Sequence, residues 1–247
     1  MLGPRWGTLF GAVTLAVCCA AGAQITVNNT RLVYPAGSKH VEFVITNESK
    51  QAQTLRAWVD TGDGDIAPDD TPAPFFVMPP VSKIQAGGRQ TLRISFTGES
   101  LPNGQESLFY LNLLNLAPVP EKTEGQNLMR FDTRSRFKLF FRPSALPGDP
   151  LAAAQQLAWR LDTAERPARL TVHNPTPYFL TLVRVRLMRG PDMVQELESA
   201  MASPFGSSSF ALAPPSTELR GALTVHYQYI DDYGLSRDCV AAVNTGR

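Results

Sequence analysis

Histidine and aspartate are the residue types here that could bind a metal. His40, His173 and His226 are scattered and lack the short spacings of a zinc site. Asp60 opens an acidic run over residues 60–65 that could bind calcium, but the glycine and glutamate positions of a helix-loop-helix calcium loop are missing. We therefore interpret the histidines as ordinary strand or loop residues and the acidic run as a solvated turn, and expect no metal.

Motifs that assemble a catalytic centre are also missing from the sequence. It contains no Gly-x-Ser-x-Gly elbow, no His-Glu-x-x-His helix and no glycine-rich phosphate loop followed by a helix. These observations favour a protein that is not an enzyme and uses no cofactor. A sugar- or metal-dependent enzyme is the alternative, although it would lack an assembled site.

Composition limits the partners of the chain. Its 247 residues contain 43% hydrophobic and 18% charged residues, which is typical of a folded globular protein with one large or two ordinary domains. Lysine and arginine number 23 against 22 aspartates and glutamates, so no global charge attracts nucleic acid or an anionic membrane. Twenty prolines and 18 glycines favour many short strands and turns over long helices.

The N-terminal segment reads as an export signal. Residues 1–23 carry Arg5, then an apolar stretch over residues 9–19, then small residues at the expected cleavage point. A transmembrane anchor is the alternative, but this stretch is shorter than the roughly 20 residues that span a bilayer. We predict cleavage before Gln24, export, and no membrane insertion of the mature chain. Cys239 then remains the single cysteine, so an internal disulfide is excluded.

Alternating hydrophobicity predicts strands along the remaining chain. Residues 41–46 and 92–97 alternate with period two, and further strands are predicted at residues 107–113 and 128–141. The last of these is unusually long, with mostly apolar side chains at odd positions and basic ones at even positions.

A segment rich in proline at residues 142–150 divides the chain in two. Shorter strands follow, and a helix is predicted only at residues 151–159. The pattern predicts an all-β protein with two immunoglobulin-like β-sandwich domains, at residues 24–143 and 144–247.

Six motifs occur in order along the mature chain: Thr30-Arg31-Leu32-Val33-Tyr34, Pro79-Pro80, Glu106-Ser107-Leu108-Phe109-Tyr110, Phe137-Lys138-Leu139-Phe140-Phe141-Arg142-Pro143, Asn174-Pro175-Thr176-Pro177-Tyr178 and Asp231-Asp232-Tyr233-Gly234. Together they resemble the periplasmic pilus (fimbrial) chaperones of the chaperone-usher pathway. The resemblance implies a boomerang of two domains with a cleft between them. It also implies a chaperone in the Gram-negative periplasm that binds pilin subunits and delivers them to an outer-membrane usher.

The resemblance assigns a donor strand to residues 127–141, which would complete the unfinished sandwich of a pilin. Met129, Phe131 and Thr133 would be the side chains inserted into the groove of the pilin, Thr133 replacing the bulky aliphatic residue usual in the family. The alternative is that Met129 and Phe131 belong to the core of their own domain.

The resemblance also assigns Arg31 and Lys138 as the two cations that bind the C-terminal carboxylate of the pilin. Strict alternation puts Lys138 on the strand face opposite Met129 and Phe131, so we expect strand twist or a bulge to bring it into the cleft.

The same resemblance places Glu106, Arg142 and Asp232 in an ionic network that sets the angle between the domains.

Self-association of the free protein is a further possibility. The alternative function is a two-domain fimbrial subunit or adhesin, which would carry an N-terminal donor extension and an incomplete domain.

Overall fold

The structure is a computed structural model that describes residues 25–63, 71–116, 131–164, 166–213, 219 and 221–245. The predicted signal at residues 1–23 lies outside the described residues, as does Met129. In the described part, β1 to β9 form a first domain and β10 to β17 a second. Their bounds are β1 Ile25–Val27, β2 Arg31–Pro35, β3 Val41–Asn47, β4 Gln53–Asp60, β5 Phe75–Met78, β6 Val81–Ile84, β7 Arg89–Phe96, β8 Ser107–Leu116, β9 Thr133–Arg142, β10 Ala158–Asp162, β11 Arg169–His173, β12 Leu180–Arg189, β13 Asp192–Leu197, β14 Ala200–Ala202, β15 Ser207–Ala211, β16 Thr224–Ile230 and β17 Ser236–Thr245.

Two facing sheets make up the first domain. One has the strand order β1-β3-β7-β5 and the other β2-β9-β8-β4-β6. Alternate residues of each strand point inward, and the core between the sheets includes Phe43, Ile45, Leu92, Leu111 and Leu139. Burial of these side chains is the main stabilising contribution to this sandwich.

The second domain is also a two-layer sandwich, and one strand joins its layers. β17 pairs antiparallel with β16 as far as Ala242 and then parallel with β10 from Val243. One layer therefore contains β13, β12, β16 and β14, and the other β10, β11 and β15. Trp159, Leu182 and Val225 are fully buried in its core. The predicted all-β architecture with two sandwich domains is confirmed.

The predicted helix over residues 151–159 is wrong in length. A single helical turn, α1 (Pro150–Ala153), is capped by the Asp149 carboxylate and continues as a 3-10 turn, Ala154–Gln156. β10 then begins at Ala158 because Trp159 packs in the second core as part of a sheet. Among the described residues, no helix is both long enough and apolar enough to cross a bilayer.

Candidate functional site

β9 is paired along nearly its whole length on one side and along only half of it on the other. β8 pairs with residues 133–141 of β9, whereas β2 pairs parallel to β9 only at residues 138–142. Within the described residues, no strand covers the other side of residues 133–137. Among the described strands, this side of residues 133–137 is therefore a free edge of the sheet, and an edge of this kind is the template for adding a strand.

Arg31 and Lys138 meet where this free edge ends. They are direct partners in the parallel ladder between β2 and β9, so their side chains point to the same face of the sheet. Arg31 is only 6% exposed, and its Nη1 donates to the carbonyl of Ile230 at 2.7 Å. Lys138 Nζ donates to Thr181 Oγ1 at 3.0 Å. Since Ile230 and Thr181 belong to the second domain, both cations lie between the domains.

The two cations form an electropositive site between the domains. Burial, followed by the charge of Arg31, lowers the pKa of Lys138 to about 8. Burial also lowers the pKa of Arg31, although nearby carboxylates led by Asp232 oppose this shift. Among the described residues neither cation forms an ion pair, and the buried Nε of Arg31 has no hydrogen-bond acceptor. A buried donor without an acceptor is costly, so the site is suited to binding an anionic oxygen.

Of the two alternatives offered for bringing Lys138 into the cleft, strand twist or a bulge, the described part of β9 does not contain the bulge. The β8–β9 ladder has no register shift from Thr133 to Phe141. The odd-numbered face of β9 covers the first core, and the even-numbered face itself turns toward the second domain, where Phe140 packs against Phe179 with ring centroids 5.9 Å apart. Lys138 lies on that even-numbered face.

Phe131 and Thr133, two of the three predicted donor residues, are exposed. Phe131 is 74% exposed although it is a large apolar side chain, and Thr133 begins β9 at the free edge. The alternative that Phe131 belongs to the core of its own domain is therefore wrong.

The structure brings Glu106, Arg142 and Asp232 together. Arg142 Nε donates to Glu106 Oε1 at 2.6 Å, and its Nη1 and Nη2 donate to Asp232 at 2.6 and 3.0 Å. The second oxygen of Glu106 accepts the backbone N–H of Phe179 at 2.8 Å. Burial alone would lower the pKa of Arg142, but its hydrogen bonds to Asp232 and the charge of Glu106 outweigh burial and raise it. The network thus connects the first domain to two separate segments of the second.

The hairpin after β16 has a close backbone contact with the first domain. A Cβ at Gly234, whose φ is +81°, would lie 2.6 Å from Thr30 Oγ1. The buried carboxylate of Asp231 accepts the N–H groups of Tyr233 and Leu235, which fixes the turn. Glycine is required here because it tolerates both the positive φ and the close approach. This turn keeps the Ile230 carbonyl in reach of Arg31.

The acidic run contains a residue whose role the sequence-based interpretation missed. Asp60 is 1% exposed and accepts Arg134 Nη2 at 2.9 Å, Arg136 Nη2 at 2.7 Å and Asn112 Nδ2 at 2.8 Å. The prediction of a solvated turn is therefore wrong for Asp60. Basic residues at alternate positions of one strand were the available signal, because such a row requires a counter-charge if it is to pack.

Family models match both domains of the chain. The model described as pili and flagellar-assembly chaperone, PapD N-terminal domain, matches residues 24–147, and that described as pili assembly chaperone PapD, C-terminal domain, matches residues 152–240. The chain belongs to the pilus-assembly chaperone family. Both sandwiches of this chaperone therefore have counterparts in one family.

Named relatives agree with this assignment. The chaperone is 36% identical to the chaperone protein FimB/FhaD of Bordetella pertussis, over 93% of this chain and 95% of the relative. It is 35% identical to the chaperone protein MrkB of Klebsiella pneumoniae, over 85% and 88% of the two chains. A fimbrial subunit or adhesin is accordingly not favoured.

Solved structures show the same architecture. The CupB2 chaperone of Pseudomonas aeruginosa superposes with a TM-score of 0.75 at 33% identity, covering 89% of this chain and all of the other. The SafB chaperone of Salmonella enterica, solved in complex with the SafA pilin, gives a TM-score of 0.69 at 26% identity, covering 88% and 95%.

Proposed function

We propose that this chaperone captures pilin subunits by adding part of β9 to their unfinished sandwich and by binding their C-terminal carboxylate with Arg31 and Lys138. The proposal rests on the position of the buried Arg31 and the half-buried Lys138 at the end of the free edge of β9. The SafB structure, in complex with a pilin, supports this choice of partner.

The pairing of β2 explains why a chain terminus would bind there. β2 runs parallel to β9 and begins at Arg31, opposite Lys138. A guest strand that pairs with residues 133–137 and also runs parallel to β9 would meet the start of β2 end to end. Its backbone must stop at that point, so its carboxylate is placed against the Arg31 guanidinium and the Lys138 ammonium. Hydrogen bonds between charged groups of this kind contribute about 1.5–3 kcal/mol each.

The exposed side chains before β9 supply the apolar part of the interaction. Phe131 would fill a pocket in the groove of the pilin, together with Thr133 and, by the family resemblance, Met129. Full burial of a phenylalanine contributes about 1.5–3 kcal/mol. The small Thr133 suits a shallow third pocket.

The predicted export signal is consistent with a chaperone that acts in the periplasm. Residues 1–23 would direct export and be removed, and the captured subunit would pass to an outer-membrane usher. The chemistry is binding rather than catalysis. When no guest is bound, the same free edge and exposed Phe131 offer a surface for self-association.

We assign the Glu106–Arg142–Asp232 network a structural role. Glu106 and Arg142 belong to the first domain and Asp232 to the second, so the network fixes the angle at which Thr181 and Ile230 approach the two cations. It therefore shapes the anion site without contacting the guest.

Capture from the periplasm tests the proposal. A tagged chaperone is purified from periplasmic extract of cells that express its pili, and co-purifying subunits are identified by mass spectrometry. The wild type should retain a pilin, whereas the Arg31→Ala/Lys138→Ala variant should lose it while keeping its melting temperature. Exposed cations on other strands, in Lys83→Ala and Arg160→Ala, serve as matched controls. Full pilin recovery by the double variant would contradict the anchor role.

A further inference from the structure

Three cations lie on alternate residues of one face of β9, namely Arg134, Arg136 and Lys138. Alternate residues of a strand point to the same side, and two residues rise by about 6.6 Å. The face therefore offers three evenly spaced positively charged positions, and a carboxylate could in principle bind at any of them.

A row of this kind makes the register of a guest strand ambiguous. A slip by one residue would turn every side chain of the guest to the wrong face, but a slip by two would preserve the facing pattern. The C-terminal carboxylate of a guest slipped by two residues would lie beside Arg136 instead of Lys138. Apolar alternation alone does not exclude this error.

The structure distinguishes the three cations by their counter-charge. Asp60 Oδ2 accepts Arg134 Nη2 at 2.9 Å, and Asp60 Oδ1 accepts Arg136 Nη2 at 2.7 Å. The buried carboxylate is held in place by Asn112 Nδ2 at 2.8 Å and by the N–H of Gly62 at 2.9 Å. Lys138, in contrast, donates only to a neutral hydroxyl, that of Thr181, among the described residues.

Aromatic rings hold the same two guanidiniums against the sheet. Arg134 lies over the ring of Trp58, with its Cζ 5.0 Å from the centroid, and Arg136 lies over Tyr110 at 4.5 Å. Cation–π contacts add to the ion pairs and oppose rotation of the arginines toward the cleft. Arg134 and Arg136 thus share the Asp60 carboxylate as a counter-charge and are held against the sheet.

We propose that Asp60 is a specificity-determining residue that sets the register of the guest strand. By pairing with Arg134 and Arg136 and turning their guanidiniums toward itself, it leaves Lys138, together with Arg31, as the anion site of this face. The inference rests on the proposed function, since it concerns how the same anchor selects one alignment of the pilin. Asp60 acts through the arginines and does not touch the guest.

The test compares two lengths of one guest. The probe is the pilin identified in the capture experiment above, produced intact and lacking its two C-terminal residues, and its affinity is measured by competition. The wild type should prefer the intact pilin by about tenfold or more, because the shortened chain places its carboxylate beside an Arg136 that is already paired with Asp60. The Asp60→Asn variant should reduce this preference to less than about threefold, because the released Arg136 guanidinium can bind the C-terminal carboxylate of the shortened pilin.

Two further variants separate this role from a purely structural one. Adding Arg136→Gln to Asp60→Asn should restore the preference, because the competing cation is gone, whereas Asp60→Glu should retain it. If Asp60→Asn folds poorly, Asp60→Asn/Arg134→Leu removes one of the two guanidiniums that lose the Asp60 carboxylate and keeps Arg136 available. If the folded Asp60→Asn variant bound the intact and the shortened pilin more weakly by the same factor, the inference would be overturned. If the wild type bound the two pilins equally well, the carboxylate anchor itself would be contradicted.

Discussion

Arg31 and Lys138 are in-register partners on adjacent parallel strands, and each donates a hydrogen bond to a neutral oxygen of the other domain. Two like charges at adjacent positions repel each other, which is unfavourable for the free protein. The arrangement becomes favourable when an anion binds to both.

Changing the pilin instead of the chaperone also tests whether Arg31 and Lys138 bind its C-terminal carboxylate. Converting the C-terminal carboxylate of the pilin to an amide should weaken binding to the wild type by about 10- to 100-fold, the equivalent of one or two charged hydrogen bonds. The Arg31→Ala/Lys138→Ala variant should bind the amide and the acid alike. Isothermal titration of both guests against both proteins measures the coupling. If amidation weakened binding by the same factor in the wild type and in the Arg31→Ala/Lys138→Ala variant, the carboxylate would not bind these cations.

The depressed pKa of Lys138 makes capture dependent on pH. The pKa is about 8 in the free chaperone, and a bound carboxylate raises it because the anion favours the ammonium form. The affinity for the pilin should therefore be highest near pH 7, where Lys138 is mostly protonated, and fall several-fold by about pH 9.5. Folding has the opposite sign: because the pKa is lower in the folded than in the unfolded chain, deprotonation of Lys138 above pH 8 stabilises the fold. Lys138→Arg, which stays charged, is the control and should remove the pH dependence in this range, so an unchanged profile would assign it to another group.

Phe131→Ser separates binding from folding. The side chain is already 74% exposed, so the free energy of unfolding should change by less than about 0.5 kcal/mol. Affinity for the pilin should fall by about 10- to 100-fold, because an apolar side chain no longer enters the groove. Chemical denaturation and titration measure the two effects. A variant with greatly reduced stability would indicate a role in the chaperone's own fold.

The interdomain network should respond unequally to removal of its members. Arg142→Ala leaves Glu106, which is 1% exposed, as a buried carboxylate without its guanidinium, and should lower the free energy of unfolding by about 3–5 kcal/mol. Asp232→Ala removes a partner whose side chain is 30% exposed, so its cost should be clearly smaller. Thermal unfolding of both variants makes the comparison. Equal destabilisation would mean that Glu106 does not depend on Arg142.

The fold was predictable from the sequence because the two signals that define it, alternating hydrophobicity and turn residues, are local. Alternation over residues 41–46 and turn residues after each strand require no knowledge of distant contacts. The helix over residues 151–159 was overestimated because Trp159 pairs with Val172 and Val243, and those partners are distant in the sequence.

The candidate site was predictable only where a family motif exists. Arg31, Lys138, Glu106, Arg142 and Asp232 were predicted from the resemblance. Thr181 was missed because a hydroxyl 43 residues from Lys138 carries no sequence signal. Asp60 was misread because acidic residues beside glycines are typical of exposed turns, and its partners lie 74 and 76 residues further along the chain.

A crystal structure of the chaperone with its pilin would show directly how the subunit is held. We expect a guest strand paired parallel to residues 133–137 of β9, Phe131 inside the groove of the pilin, and the terminal carboxylate of the guest within hydrogen-bond distance of Arg31 and Lys138. A guest bound with its C-terminus elsewhere, and with the edge of β9 still unpaired, would contradict this expectation.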